Sequence, residues 1–150
     1  MTYSYRKAIA MDQEAIFELY RQVMGDYISE IWGWNEDWQT NDFAAHFNPD
    51  GITVVYEGKQ LVGYAHIDNN TDHLFLRMLA IHRNHQSKGI GTHLLLWLIT
   101  SATEQSKPVG LEVFKINMEA KRFYERHGFN VVGESLHSYV MKYYVSNTGQ

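Results

Sequence analysis

Six consecutive residues, Gln86-Ser87-Lys88-Gly89-Ile90-Gly91, carry the strongest chemical signal in this chain. Before them stands a strand-like run, Leu74 to Ile81, closed by the polar cluster His82-Arg83-Asn84-His85. After them comes a Pro-free stretch, Gly89 to Ser106, with Ile90, Leu94, Leu98 and Ala102 at helical spacing. A glycine-bearing turn that opens a helix leaves backbone N–H groups unpaired at the positive end of the helix dipole. That arrangement suits a phosphate or another anion. Glycine at 89 and 91 removes side chains that would hold a bulky anion away from the backbone. The turn is not a Walker loop, which needs Gly, four residues, then Gly-Lys-Ser/Thr. Nor is it a dinucleotide fingerprint, which needs a third glycine near Leu94. A plain helix start is the other reading of two glycines.

Charge distribution favours the anion. From His73 to Thr103 there is no Asp or Glu, while Arg77, Arg83, Lys88 and four histidines are present. From Gln22 to Gly58 there is no Lys or Arg, but seven carboxylates, from Asp26 to Glu57. A chain of net charge −4 that separates its signs in this way suits two different ligands, unless the acidic run is simply a solvated face. His82 and His85, three apart, have no third partner at metal-ligand spacing, so no metal is expected.

A second constellation lies in the C-terminal third: Leu111-Glu112-Val113, then Asn117, Ala120, Phe123, Tyr124 and Gly128-Phe129. Ala120, Phe123, Tyr124 and His127 share one helical face, which turns Tyr124 toward the sheet. Its phenol could donate a proton from an apolar wall, or Tyr124 could be an ordinary core residue.

These residues need elements to hold them. The patterning predicts a strand over Ser4 to Ile9 and a helix capped by Asp12, with Ile16, Leu19, Tyr20 and Val23 on its apolar face. A less regular aromatic segment, Tyr27 to Trp38, follows, then a helix near Asp37 to Phe47 and a turn at Pro49-Asp50-Gly51. Ile52 to Glu57 and Gln60 to Asp68 read as a hairpin around Gly58-Lys59. His73 to His82 is the next strand, Gly89 to Ser106 the long helix, and Val109 to Phe114 a strand. Asn117 to His127 is a helix stopped by Gly128, with Phe129 folding back in a glycine C-cap. Two strands lie between Asn130 and about Val145, and Ser146 to Gln150 should fray. The expected fold is one α/β domain over residues 1–150, a mixed central sheet flanked by about four helices. With 45% hydrophobic and 14% aromatic residues the chain is globular. With no cysteine it has no disulfide, thiol nucleophile or thiolate metal site. The lack of a signal core or long apolar run makes a soluble, cytoplasmic protein without membrane association the expectation. A pI near 6.0 argues against nucleic acid as partner.

Taken together, Leu79-Ala80-Ile81, Gln86 to Gly91, Leu111-Glu112-Val113, Asn117, Ala120, Tyr124 and Gly128-Phe129 resemble the GCN5-related N-acetyltransferases (GNAT). The element order resembles that fold from Tyr3 to about Val145. Two departures stand out: Arg83 where a proline is common, and Ser87 where a glycine is common. The resemblance implies acetyl-CoA as acyl donor, with Gln86, Ser87, Lys88, Gly89, Ile90, Gly91 and Thr92 on its pyrophosphate. Leu79, Ala80 and Ile81 would lie on the strand that pairs with the pantetheine arm, and Asn117 would touch the cofactor. Tyr124 would protonate the departing thiolate. Glu112, which the alternation of Leu111 and Val113 turns to the opposite face, resembles the base of the branch that acetylates protein N-termini. An ordered water is the alternative proton acceptor.

In this fold the region after the first helix walls the acceptor site. Here Tyr27, Glu30, Trp32, Trp34, Glu36 and Asp37 combine aromatic faces with carboxylates, which suits an organic cation. The same tryptophans could instead anchor the helices on the sheet or form a homodimer interface. The expected activity is direct transfer of acetyl to a primary amine of a small molecule or peptide. A non-catalytic acyl-CoA-binding sensor is the alternative, and a scaffold explains neither the turn nor the charge separation.

Overall fold

The computed structural model describes residues 2–145, so the expected fraying of Ser146 to Gln150 lies outside the described residues. Seven strands and four helices follow in the order β1 (Ser4–Lys7), α1 (Gln13–Ile31), α2 (Glu36–His46), β2 (Ile52–Glu57), β3 (Gln60–Asn69), β4 (Leu74–Ile81), α3 (Ile90–Gln105), β5 (Val109–Phe114), α4 (Met118–Arg126), β6 (Asn130–Glu134) and β7 (Ser138–Tyr143). The strands form one mixed sheet ordered β1-β2-β3-β4-β5-β7-β6, as the expected α/β architecture requires. Leu74–Leu76 pair in parallel with Val109–Leu111. A parallel pair needs a long crossover, and α3 supplies it. Among the described residues no helix is long and apolar enough to cross a membrane. The chain divides into two compact units, one running to His66 and including Met78–Thr92, the other comprising Ile67–Arg77 and the residues from His93 onward.

In the first unit β1, β2 and β3 pair antiparallel, and the β2–β3 hairpin turns at Gly58, whose φ is +58°. Leu61 to His66 are all buried, so β3 reads as a continuous run rather than an alternating one because both of its faces are covered. Ile16, Leu19, Ile52, Val54, Tyr64 and Ala80 form the centre of the core, with Val23, Phe43 and Phe47 packed on it.

Three expectations need correction here. Asp12 precedes α1 but makes no cap bond, because its own backbone is already helical (φ −78°, ψ −11°). Its carboxylate instead accepts from the Ile9 N–H at 2.8 Å, both Arg6 nitrogens at 2.8 and 3.0 Å, and the Tyr56 hydroxyl at 2.9 Å. Strand β1 ends at Lys7, short of Ile9, since Ala10–Asp12 already form a 3-10 turn. Helix α1 continues through Tyr27 to Ile31 and stops where Gly33 takes φ +81° and donates to the Ile28 and Ser29 carbonyls. Aromatic and acidic side chains blurred the helical period there without any backbone objection to helix. Asn35 caps α2 by accepting from the Trp38 N–H at 2.9 Å, so that helix starts at Glu36.

In the second unit β5 and β7, and then β7 and β6, pair antiparallel. Leu111 and Val113 are buried while Glu112 between them is exposed, as alternation along a strand demands. Leu94, Leu98 and Ala102 bury one stripe of α3, as their spacing predicts. Asn117 caps α4 by accepting from the Ala120 N–H at 3.2 Å. Gly128 ends the helix at φ +92°, and the buried Phe129 returns its N–H to the Tyr124 carbonyl at 3.1 Å. The glycine is also required by space, because a Cβ there would meet the Tyr143 ring at 3.0 Å.

Candidate functional site

The turn from Gln86 to Gly89 is exposed, and Ile90 behind it is buried. Ser87 and Gly89 both adopt left-handed backbone, φ +64° and +87°. Left-handed residues in a turn build the concavities in which backbone N–H groups converge on an anion. Gln86, Ser87, Lys88 and Gly89 are exposed residues of a turn that continues from the 3-10 turn Arg83–His85. They stand just ahead of the positive end of the 16-residue helix α3. The space where a Cβ of Gly89 would sit is open to 4 Å, so conformation and approach, not crowding, call for glycine there. Ser87 accepts the left-handed conformation that glycine adopts more easily, which accounts physically for glycine at that position in similar chains.

Two contacts fix the entrance of the turn. The Gln86 side-chain amide donates to the Ile81 carbonyl at 3.1 Å. Gly63 on β3 lets β4 and α3 come close: a Cβ there would lie 3.0 Å from Ile81 Cδ1, 3.3 Å from the Ala80 carbonyl oxygen and 3.5 Å from Ile90 Cγ2. Ala80 is buried, and Leu79 and Ile81 are half-buried. Gly91 and Thr92, in the first turn of α3, are half-buried. Among the described residues no group of three or more His, Cys, Asp or Glu could hold a metal ion.

In the second unit, Tyr124 is buried on α4, with edge-on contacts to Phe123 and Phe129 at 5.4 and 5.7 Å between ring centroids. Burial pushes its phenol well above the ordinary range, so it keeps its proton throughout the neutral range. Glu112 faces solvent from β5, beside its register partner Val140 on β7. Asn117, the α4 cap, spends its side-chain oxygen on the Ala120 N–H.

The aromatic–carboxylate segment holds a cation already. Arg21 on α1 pairs with both Glu18 and Glu36, and its guanidinium lies over the rings of Phe17 (4.7 Å) and Trp34 (5.9 Å). Glu36 also accepts from Trp34 Nε1 at 2.8 Å; that bond and Arg21 hold its carboxyl below its ordinary range. Trp34 and Glu36 thus make the cation site that their residue types suggest, and an internal arginine fills it. Arg21 stands one position before the Lys/Arg-free window opens, which is why the charge pattern missed it. Glu30 and Asp37 are exposed, Trp32 is 63% exposed, and Tyr27 is half-buried on the last turns of α1. Gln22, the other residue missed, contacts the corner at His82 and Arg83; no signal in the sequence marks it.

Comparison with known proteins gives the family to which this fold and turn belong. The profile of the acetyltransferase (GNAT) family matches residues 14–129. A spermine/spermidine N(1)-acetyltransferase from Bacillus subtilis is 33% identical over 99 residues, 59% of this chain and 63% of that protein. The chain therefore spans under two thirds of that relative's length. The PaiA N-acetyltransferase of Thermoplasma acidophilum, solved with coenzyme A, superposes with a TM-score of 0.79 at 18% identity, covering 96% of this chain and 99% of that one. The ribosomal-protein-S18-alanine N-acetyltransferase of Escherichia coli gives 0.74 at 18% identity, covering 97% of this chain and 95% of that one. The chain belongs to the acetyltransferase (GNAT) family.

Proposed function

We propose that this protein transfers the acetyl group of acetyl-CoA to a primary amine. The observation that carries the reading is the exposed turn at Gln86–Gly89, with two left-handed residues directly ahead of α3. Such a turn at a helix N-terminus fits a diphosphate, and the open space beside Gly89 fits its close approach. Acetyl-CoA supplies the acyl group as a thioester open to direct attack by the amine. The chain's residues do the rest. Leu79–Ile81 lie along the pantetheine arm, Gln86–Thr92 bind the pyrophosphate, and Asn117 adds a further contact. Tyr124 gives its proton to the departing sulfur; the low-dielectric setting that raises the phenol also raises the basicity of the thiolate that receives it. Glu112, directly or through an ordered water, takes the proton that the attacking ammonium must lose.

A polyamine or another organic cation is the acceptor class this reading favours, held by Tyr27, Glu30, Trp32 and Asp37, while Trp34 and Glu36 hold Arg21 instead. The relatives named for spermine and spermidine support it. Residues 1–150 act as a single acetyltransferase domain in the cytoplasm, and fractionation and light scattering report location and self-association.

The test is acetyl-CoA-dependent thiol release against polyamines, aminoglycosides, amino acids and N-terminal peptides, with wild type beside Tyr124→Phe. Turnover on one class, reduced about 10²-fold in the variant with coenzyme A affinity intact, is the expected result. Tight coenzyme A binding without turnover on any amine would favour a non-catalytic sensor. No coenzyme A binding would overturn the reading.

A further inference from the structure

The corner that leads into the turn is held by α1. Arg83 donates from its guanidinium to the Gln22 backbone carbonyl at 3.1 Å. The Arg83 backbone N–H reaches Gln22 Oε1 at 3.4 Å, near the limit of a hydrogen bond. The Gln22 amide also lies 3.2 Å from His82 Nε2. His82 in turn accepts the Asn84 N–H on Nδ1 at 3.1 Å, which caps the 3-10 turn Arg83–His85. Beyond it, His85 is buried, bonded to the Tyr3 hydroxyl at 3.1 Å and 4.0 Å from the Glu57 carboxylate. Gln22 of α1, Tyr3 just before β1 and Glu57 of β2 therefore converge on residues 82–85, immediately before the exposed residues 86–89. A proline at position 83 has neither an N–H nor a guanidinium and could make neither bond to Gln22.

We infer that Gln22 and Arg83 are positioning residues, a clamp that ties α1 to the 82–85 corner and so presets the anion-binding turn. The inference rests on the proposed function for the identity of the ligand, but not for the clamp itself. Two properties follow. Breaking the clamp loosens the turn and weakens donor binding while leaving the chemical groups, Tyr124 and Glu112, in place. Gln22→Ala removes the side-chain contacts to the Arg83 N–H and His82, and Arg83→Ala removes the guanidinium bond to the Gln22 carbonyl, so the double variant frees the corner more than either single one.

Gln22→Ala, Arg83→Ala and the double variant are compared with wild type in steady-state kinetics, coenzyme A titration and hydrogen exchange of the ligand-free protein. KM for acetyl-CoA should rise about three- to tenfold in each single variant, the loss that one or two ordinary hydrogen bonds support. kcat should stay within about twofold, and the double variant should lose more than either single one. Arg83→Lys, which keeps a donor for the Gln22 carbonyl, should recover part of the loss. Exchange over residues 82–92 should quicken in the variants, and circular dichroism melting reports whether each remains folded. Unchanged exchange over 82–92 in folded variants overturns the clamp, as does a KM for acetyl-CoA that stays at the wild-type value in the double variant. If wild type binds no coenzyme A yet exchange quickens as expected, the clamp stands and the proposed function falls.

Discussion

Asp12 shows how much one carboxylate can do when several donors surround it. Arg6, the Ile9 N–H and the Tyr56 hydroxyl all favour its charged form, and the carboxyl is held at about 2 against an ordinary 3.8. The folded state thus keeps Asp12 ionised at pH values where the unfolded chain protonates it. Its contribution is complete above about pH 5 and is lost as the pH falls from 4 toward 2. Arg6 is partly exposed, so solvent screening limits the effect to about 1–2 kcal/mol. Urea unfolding at pH 7 and pH 3 should show that Asp12→Asn removes about half of that, roughly 0.5–1 kcal/mol, from the acid sensitivity, since pH 3 lies midway through the loss. Tyr124 makes a different statement: its ring packs against Phe123 and Phe129, and burial preserves its proton. Tyr124→Phe should therefore lower kcat about 10²-fold with little change in melting temperature or coenzyme A affinity. Glu112→Gln should lower kcat with coenzyme A affinity unchanged. An unchanged kcat would assign the base to water.

At the scale of elements, backbone conformation decides more than contacts do. Ser87 is left-handed with a side chain, so Ser87→Gly should relieve about 1 kcal/mol. The freer unfolded chain offsets part of that, for a net gain near 0.5 kcal/mol; thermal melts will read it. Gly89→Ala meets no neighbour within 4 Å, so it should cost only the conformational penalty, about 1 kcal/mol, and should weaken coenzyme A binding as the turn distorts. Gly128→Ala combines φ +92° with a 3.0 Å approach to the Tyr143 ring and should cost about 2–3 kcal/mol. Both ends of α4 were legible in the sequence, because the Asn117 cap and the Gly128 stop are local chemistry. The end of α1 was not, although Gly33 held the same signal: the aromatic and acidic residues before it suggested irregularity where the backbone stayed helical.

Over the whole molecule, the separation of signs in a chain of net charge −4 makes donor binding sensitive to ionic strength. Screening shortens from about 10 Å at 0.1 M to about 3 Å at 1 M salt. Coenzyme A affinity should fall several-fold across that range in titration calorimetry. A salt-independent affinity would show that backbone donors, rather than the Lys88 side chain, hold the phosphates. The sequence by itself determined the order of the elements, the hairpin, the glycine-bearing turn before α3 and the inward face of α4. Those features rest on neighbours a few residues apart, where periodicity, glycine conformation and capping act within a single turn. Only the tertiary structure decided where Asp12 directs its carboxylate, which cation lies over Trp34, and that Gln22 grips Arg83. Each of those contacts joins residues 15 to 61 positions apart. No local pattern specifies such a pair, because partner and geometry both come from how the elements close over a common core.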